Sequence, residues 1–267
     1  MIVTDLDGTL LAGGSELPEE NLRALRRAMD AGVQVVIASG RMIEATTPIA
    51  DQIGVNAPMV LFNGAMVYDG RENRILHGSI IPRETAVALL KEIEARGIYV
   101  HAYPGHGFYL QKRSRWTDYY EERIKVNGIE VGGKLSEWLA SDVYKLLCIG
   151  EPSELEALRA VLLPMFPQVG FVKSSENLME IVAKGVDKAT GLAALGEIAG
   201  VAPGEMLAFG DEMNDLGMLQ YAGEGYAMEN AVEGVRRVIP RIAPRNTEFG
   251  VAQIVNHYLD EGRMGRS

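Results

Sequence analysis

Asp5-Leu6-Asp7-Gly8-Thr9-Leu10 follows the apolar residues Ile2-Val3 after a single Thr4. The apolar run predicts a short strand, and Gly8 a turn just beyond its end. Two carboxylates one residue apart repel, and each raises the other's pKa unless positive charge lies between them. A stable protein tolerates that where a cation is bound, so the stretch points to a metal ion. It also sets a nucleophile and an acid/base within one turn of chain. The plainer reading is a turn or helix cap, because Asp-Gly is a common turn pair.

Outward from this stretch, strand and helix alternate. Leu22, Leu25 and Met29 recur at helical spacing after Pro18, and Gly32 stops them. Val33 to Ala38 is a near-continuous apolar run, the pattern of a strand covered on both faces. A helical stretch runs to Gly54, with Pro48 expected to kink it or shift its start. Met59 to Phe62 reads as a third buried strand, and 67–68 with 75–76 as a hairpin. From Pro82 the pattern changes. Strands are expected at 98–103, 108–111, 144–149, 169–173 and 178–182, with helices at 83–96, around 116–120 and at 152–163. Paired strands between helices suggest an α+β unit with a mostly antiparallel sheet. After residue 183 the first pattern returns, with helices at 187–199 and 250–258 and strands at 206–209 and 226–228. The expected fold class is α/β with a parallel sheet, residues 1–81 and 184–267, interrupted by an α+β domain over 82–183. The basic tail from Gly262 to Ser267 is expected to fray.

Of the 267 residues, 47% are hydrophobic and 23% charged, the proportions of an ordinary soluble globular protein. The net charge of −10 argues against a nucleic-acid partner, which needs a positive footprint. A small phosphorylated substrate is still allowed, since a bound cation and a few basic groups reverse the field within one pocket. The single cysteine, Cys148, excludes an intrachain disulfide and a Cys-rich zinc site; its apolar surroundings mark a buried core residue. No secretory signal or membrane-length apolar run is visible, so the expected location is cytoplasmic, with no membrane partner.

Ligands of open parallel sheets lie outside the carboxyl ends of the strands. Polar groups recur at those ends: Asp5 and Asp7, Ser39-Gly40-Arg41, Asn63-Gly64, and Asp211. Taken singly, a serine after a strand is often a helix N-cap, Asn-Gly a turn, and a lone lysine such as Lys188 a solvated charge. Their recurrence is what points to a site. Gly210-Asp211-Glu212-Met213-Asn214-Asp215 is a second acidic loop. Two such loops, completed by waters and a phosphate, favour Mg²⁺ over Ca²⁺, and the spacing of an EF-hand is absent.

Asp5 to Thr9, Ser39-Gly40-Arg41, Lys188 and Gly210 to Asp215, in that order, resemble the four motifs of the haloacid dehalogenase (HAD) superfamily. The long insertion resembles the type IIB cap of its Cof-like hydrolases, as do Asn63-Gly64-Ala65 and the stretch from Asn246 to Ala252. The likeness spans essentially the whole chain; one departure is an unusually short first strand. The resemblance implies a Rossmann-like core and a phosphatase with Mg²⁺ as cofactor. Asp5 would attack phosphorus and become an aspartyl-phosphate. Asp7 would protonate the leaving alcohol and then activate water, with Thr9 holding it in place. The metal would be held by the Asp5 carboxylate, the Asp7 main-chain carbonyl and Asp211, with Asp215 and Asn214 close by. Ser39, beside Gly40, and Lys188 would hold the phosphoryl oxygens.

The leaving group would be read at the rim by Arg41 and Asn63-Gly64, and by the cap. His101, Tyr103, His106, Arg113 and Arg115 are cap candidates, each by itself more often a surface or packing residue. An acid at position 7 favours hydrolysis, or transfer to another alcohol. The resemblance implies a small phosphorylated metabolite such as a sugar phosphate or phosphoglycolate, acted on by a monomer or homodimer. A sugar phosphomutase of the same superfamily is the nearest alternative. A phospho-signalling receiver needs no large insertion, and a non-catalytic binding protein would not need every motif position filled.

Overall fold

The computed structural model describes residues 1–13 and 16–265; Arg266 and Ser267 of the tail lie outside the described residues. The chain begins with β1 (Ile2–Thr4), α1 (Glu19–Asp30), β2 (Val35–Ile37), α2 (Ile43–Ile53), β3 (Met59–Leu61), β4 (Met66–Asp69) and β5 (Arg74–Gly78). It continues with α3 (Arg83–Ala95), β6 (Tyr99–Tyr103), β7 (Tyr109–Leu110), α4 (Arg115–Ile124), β8 (Ile129–Glu130), α5 (Leu135–Trp138), β9 (Lys145–Ile149), α6 (Pro152–Met165), β10 (Val169–Ser175) and β11 (Leu178–Ala183). It ends with α7 (Lys188–Ala199), β12 (Leu207–Gly210), α8 (Leu216–Tyr221), β13 (Glu224–Met228), α9 (Glu233–Arg236), β14 (Arg241–Ala243) and α10 (Gly250–Asp260).

The described chain divides into two compact units. One comprises Met1–Arg41, Thr46–His77 and the chain from Asp187 onward; the other comprises Met42–Ala45 and Gly78–Val186. The insertion is thus a few residues wider at each end than 82–183.

In the first unit, β1 is three residues long yet central. Five parallel strands run in the order β14-β13-β12-β1-β2. Ile2 and Val3 are fully buried, as a central strand with both faces covered requires. Regular pairing of β2 stops at Ile37, and a parallel bridge from Ala38 to Val60 joins β3 to the sheet. β3, β4 and β5 form a further three-stranded sheet, which contains the expected hairpin. Leu192 and Leu195 of α7 and Met218 and Leu219 of α8 pack with Val3, Val36, Val60 and Ala208. Asn21 of α1 is fully buried. It donates to the Leu10 carbonyl at 2.7 Å and accepts from the Ala252 N–H at 3.1 Å, fastening α1 and α10 to the loop after β1.

Pro48 lies inside α2 rather than at its start. β14 has no clear sequence signal, because two of its three residues are exposed. The tail is held at least as far as Arg263, which pairs with Glu224 at 2.9 Å and lies over the Tyr258 ring at 4.0 Å.

The second unit is a six-stranded sheet in the order β10-β11-β9-β6-β7-β8, antiparallel except where β8 joins β7. Leu89, Leu90 and Ile93 of α3 and Leu155, Leu158 and Leu162 of α6 pack with Val100, Ala102, Leu146, Cys148, Met179 and Ile181. Alternation along each strand sends Tyr99, His101, Tyr103, Lys145 and Glu180 to the opposite face.

Gly64 measures how closely the first unit is packed. Its φ is +96°, and a Cβ there would lie 1.8 Å from the Asp187 carbonyl oxygen. Gly64→Ala is therefore expected to destabilise the protein by about 3 kcal/mol, read as a lower urea midpoint. An unchanged midpoint would contradict this close approach.

Candidate active site

Each site residue follows a strand of the parallel sheet or opens the helix facing it. Asp5 follows β1, and its N–H donates to the Phe209 carbonyl of β12 at 3.1 Å. Asp211 follows β12, and Lys188 is the first residue of α7. Lys188 is fixed there because Asp187 caps the helix, accepting from the Thr190 N–H at 2.8 Å. Lys188 is 1% exposed, which excludes a solvated surface charge. Its ammonium donates to Asp5 Oδ1 and to Asp215 Oδ1, both at 2.5 Å. The other Asp215 oxygen accepts the Asp211 and Glu212 N–H groups, each at 2.9 Å.

Asp5, Asp211 and Asp215 form one buried cluster whose nearest oxygens lie within 4.8 Å of one another. One ammonium, bonded to two of them, thus serves three clustered carboxylates. Burial first, then the neighbouring carboxylates against the pull of Lys188, raise Asp5 to about 7. Burial first, then Asp5 and Asp215, raise Asp211 to about 8. Burial alone would lower Lys188, but Asp215 and Asp5 overcome it and hold the ammonium charged. Hard oxygen donors with excess negative charge fit a divalent cation such as Mg²⁺. The chain meets this test with Asp5, Asp211 and Asp215.

Asp7 stands apart. Its side chain is 32% exposed, and Arg41 grips both of its oxygens. The expected metal ligand at this residue is its main-chain carbonyl, not this carboxylate. Thr9 does not hold Asp7. Its hydroxyl donates to Asp211 Oδ1 at 2.7 Å, because the turn at Gly8 carries residue 9 back over β12. Gly8 has φ +83°, and a Cβ there would meet Asp211 Oδ2 at 2.2 Å, so the turn admits only glycine.

Ser39 is buried and is not the cap of α2, which starts at Ile43. Its hydroxyl accepts from the Arg41 N–H at 3.1 Å. Asn63 combines its turn and site readings. Its φ of 55° is left-handed, a conformation asparagine tolerates, and its side-chain oxygen accepts from Asn214 at 2.8 Å. A side chain at Gly40 would press on the Asn63 amide at 3.0 Å.

Two braces were not assigned from sequence. Asn230 donates to the Gly8 carbonyl at 2.8 Å, and Asn246 donates to the Leu11 carbonyl at 2.8 Å. They are linked, because the Asn246 N–H donates to the Asn230 side chain at 3.0 Å. Lone asparagines carry no spacing signal, although Asn246 lies in the stretch that resembles Cof-like hydrolases. In the second unit, His106, Arg113 and Arg115 are exposed. Arg113 pairs with Glu121, and Arg115 pairs with Glu151 at 3.1 Å. His101 and Tyr103 are fully buried beside an ion pair of Lys145 and Glu180 at 3.2 Å.

The model of the haloacid dehalogenase-like hydrolases matches residues 2–255. The chain belongs to the haloacid dehalogenase-like hydrolase family. A 5-amino-6-(5-phospho-D-ribitylamino)uracil phosphatase of Bacillus subtilis is 30% identical over 97% of each chain. A haloacid dehalogenase-like hydrolase from Bacteroides thetaiotaomicron has a TM-score of 0.88 at 27% identity, over 96% of this chain and 98% of that one. A HAD subclass IIB sugar phosphatase shares the fold, with a TM-score of 0.83 at 23% identity, over 96% of this chain and 98% of that one. The chain is thus a hydrolase of the HAD family with a subclass IIB fold, as its motifs imply. Among the described residues, no helix is long and apolar enough to cross a membrane.

The raised carboxylates of this HAD site carry a stability prediction. Folded Asp5 and Asp211 bind protons more tightly than the unfolded chain, whose value is near 3.8. That contribution is full at low pH and is lost as pH rises through 7 and 8. His101, lowered to about 3 mainly by burial, acts in the opposite sense, but only below about pH 6.5. Between roughly pH 6.5 and 8.5 the Tm of metal-free protein should therefore fall. Added Mg²⁺ should raise it more at the upper end. A metal-free Tm that is flat or rising over this range would contradict the electrostatics of the cluster.

Proposed function

We propose that the chain is a Mg²⁺-dependent phosphatase of a small phosphorylated metabolite, acting through a phosphoryl group carried on Asp5. The observation that carries this reading is the buried Lys188 ammonium between Asp5 and Asp215. Its charge favours the ionised form of Asp5 against burial, and it aims that carboxylate where an anionic substrate would otherwise be repelled. Asp5 forms a bond to phosphorus as the ester P–O bond breaks, and the leaving oxygen takes a proton from Asp7. Asp7, now a base, takes a proton from water as that water attacks phosphorus and frees Asp5. Lys188 and Ser39 hold phosphoryl oxygens, and Asp211 is kept in place by Thr9. Asp5, Asp211 and Asp215, with the Asp7 main-chain carbonyl, would hold a Mg²⁺, which would supply charge neutralisation for the transferring group.

The similar Bacillus subtilis phosphatase is named for a phosphorylated ribityl compound. This supports a polyol or sugar phosphate as the substrate class. The partly exposed Asp7 supports release to water.

Hydrolysis of para-nitrophenyl phosphate should require Mg²⁺ and stop with chelator. It should fall by at least roughly 10³-fold in Asp5→Asn, measured as released phosphate. Undiminished turnover in that variant would sink the covalent route. Phosphate that passes only to a second sugar, with none released, would replace hydrolysis by transfer.

A further inference from the structure

Within the site, Arg41 makes two side-chain bonds to Asp7. Its Nε donates to Asp7 Oδ2 at 2.8 Å, and its Nη2 donates to Asp7 Oδ1 at 2.6 Å. Two parallel bonds from a planar guanidinium fix the plane of the carboxylate as well as its position. Arg41 is the anchored partner, at 5% exposure against 32% for Asp7.

Main-chain bonds supply the anchor. The Arg41 N–H donates to Ser39 Oγ at 3.1 Å, and its carbonyl accepts from the Phe62 N–H at 3.2 Å. The Asn63 N–H donates to the Ser39 carbonyl at 3.1 Å. The last two bonds come from the consecutive residues Phe62 and Asn63, with φ of 51° and 55°. Side chains rarely adopt that conformation, and it persists only where its surroundings enforce it. The strained turn after β3 is thus bonded to the segment that carries Arg41.

We infer that Arg41 is a positioning residue for proton transfer: it sets which Asp7 oxygen faces the leaving alcohol, and it does not read the substrate. The inference rests on the phosphatase reading above. As the P–O bond breaks, one Asp7 oxygen gives its proton to the ester oxygen while both oxygens go on accepting from Arg41. When water attacks, that first oxygen takes the proton back.

Leaving-group dependence tests this. kcat/KM covers the steps up to departure of the alcohol, and an aryl phosphate departs with little protonic help. Arg41→Gln should lose roughly 10²-fold in kcat/KM with the sugar or polyol phosphate that wild-type protein turns over fastest. With para-nitrophenyl phosphate the loss should be no more than about threefold. Arg41→Lys keeps the charge without the fork and should show the same selective loss, smaller in size. Asp7→Asn should lose more than Arg41→Gln on the sugar or polyol phosphate, and adding Arg41→Gln to it should cost nothing further. Parallel losses on both esters, or additive losses in the double variant, would overturn the inference. They would mean that Arg41 binds substrate or only supports the fold. Wild-type protein that releases phosphate from neither ester would overturn the phosphatase reading as well.

Discussion

Every other feature of the site is arranged around the Lys188 ammonium, buried between Asp5 and Asp215 at 2.5 Å from each. Removing one member of a buried pair leaves an unpaired charge, typically at a cost of about 3–5 kcal/mol. The surroundings are accordingly over-determined. Asp187 caps the helix that Lys188 opens, and Gly64 lets the β3 turn come against that cap. Gly210 makes room for the Asp215 side chain, whose Cβ would lie 2.5 Å from a Cβ at residue 210. One ammonium does not balance three carboxylates, and the remaining negative charge is what fits the site to a divalent cation.

The same constraint separates two aspartates that differ by two positions in the chain. Asp5 is buried against Lys188, while Asp7 turns outward to Arg41 and keeps a third of its surface open. Contrasting environments around paired carboxylates are how one site assigns separate roles to them. The turn at Gly8 makes the separation possible, because it brings Thr9 to Asp211 and leaves Asp7 on the other side. Asn230 and Asn246 then hold the carbonyls of that turn from the far end of the chain.

Much of this was legible in the residues. Apolar runs ending in Asp5, Ser39, Asn63 and Asp211 marked the strand ends, because a buried parallel strand must be apolar along its length while its end faces the ligand. The change of pattern at Pro82 and its return after residue 183 lie a few residues inside the bounds of the longer segment of the second unit. What could not be read was which side chain meets which across loops. Thr9 bonds to Asp211 instead of Asp7, and Arg41 bonds to both oxygens of Asp7. Those pairings depend on left-handed turns at Gly8, Phe62 and Asn63, and Phe62 carries no signal for such a turn. Short or half-exposed strands such as β8 and β14 also lack an apolar pattern. Lys145 and Glu180 look like the outward positions of surface strands, yet both are buried.

The central claim is that the ammonium-held carboxylate at residue 5 carries the phosphoryl group during turnover. It is tested most directly by stopping the reaction in acid during turnover, reducing any acyl phosphate with borohydride, and locating the modified residue by peptide mass spectrometry. The account predicts conversion to homoserine at Asp5 alone, and only when substrate and Mg²⁺ are both present. Modification at Asp7 or Asp211, or product formed with no adduct anywhere, would contradict it.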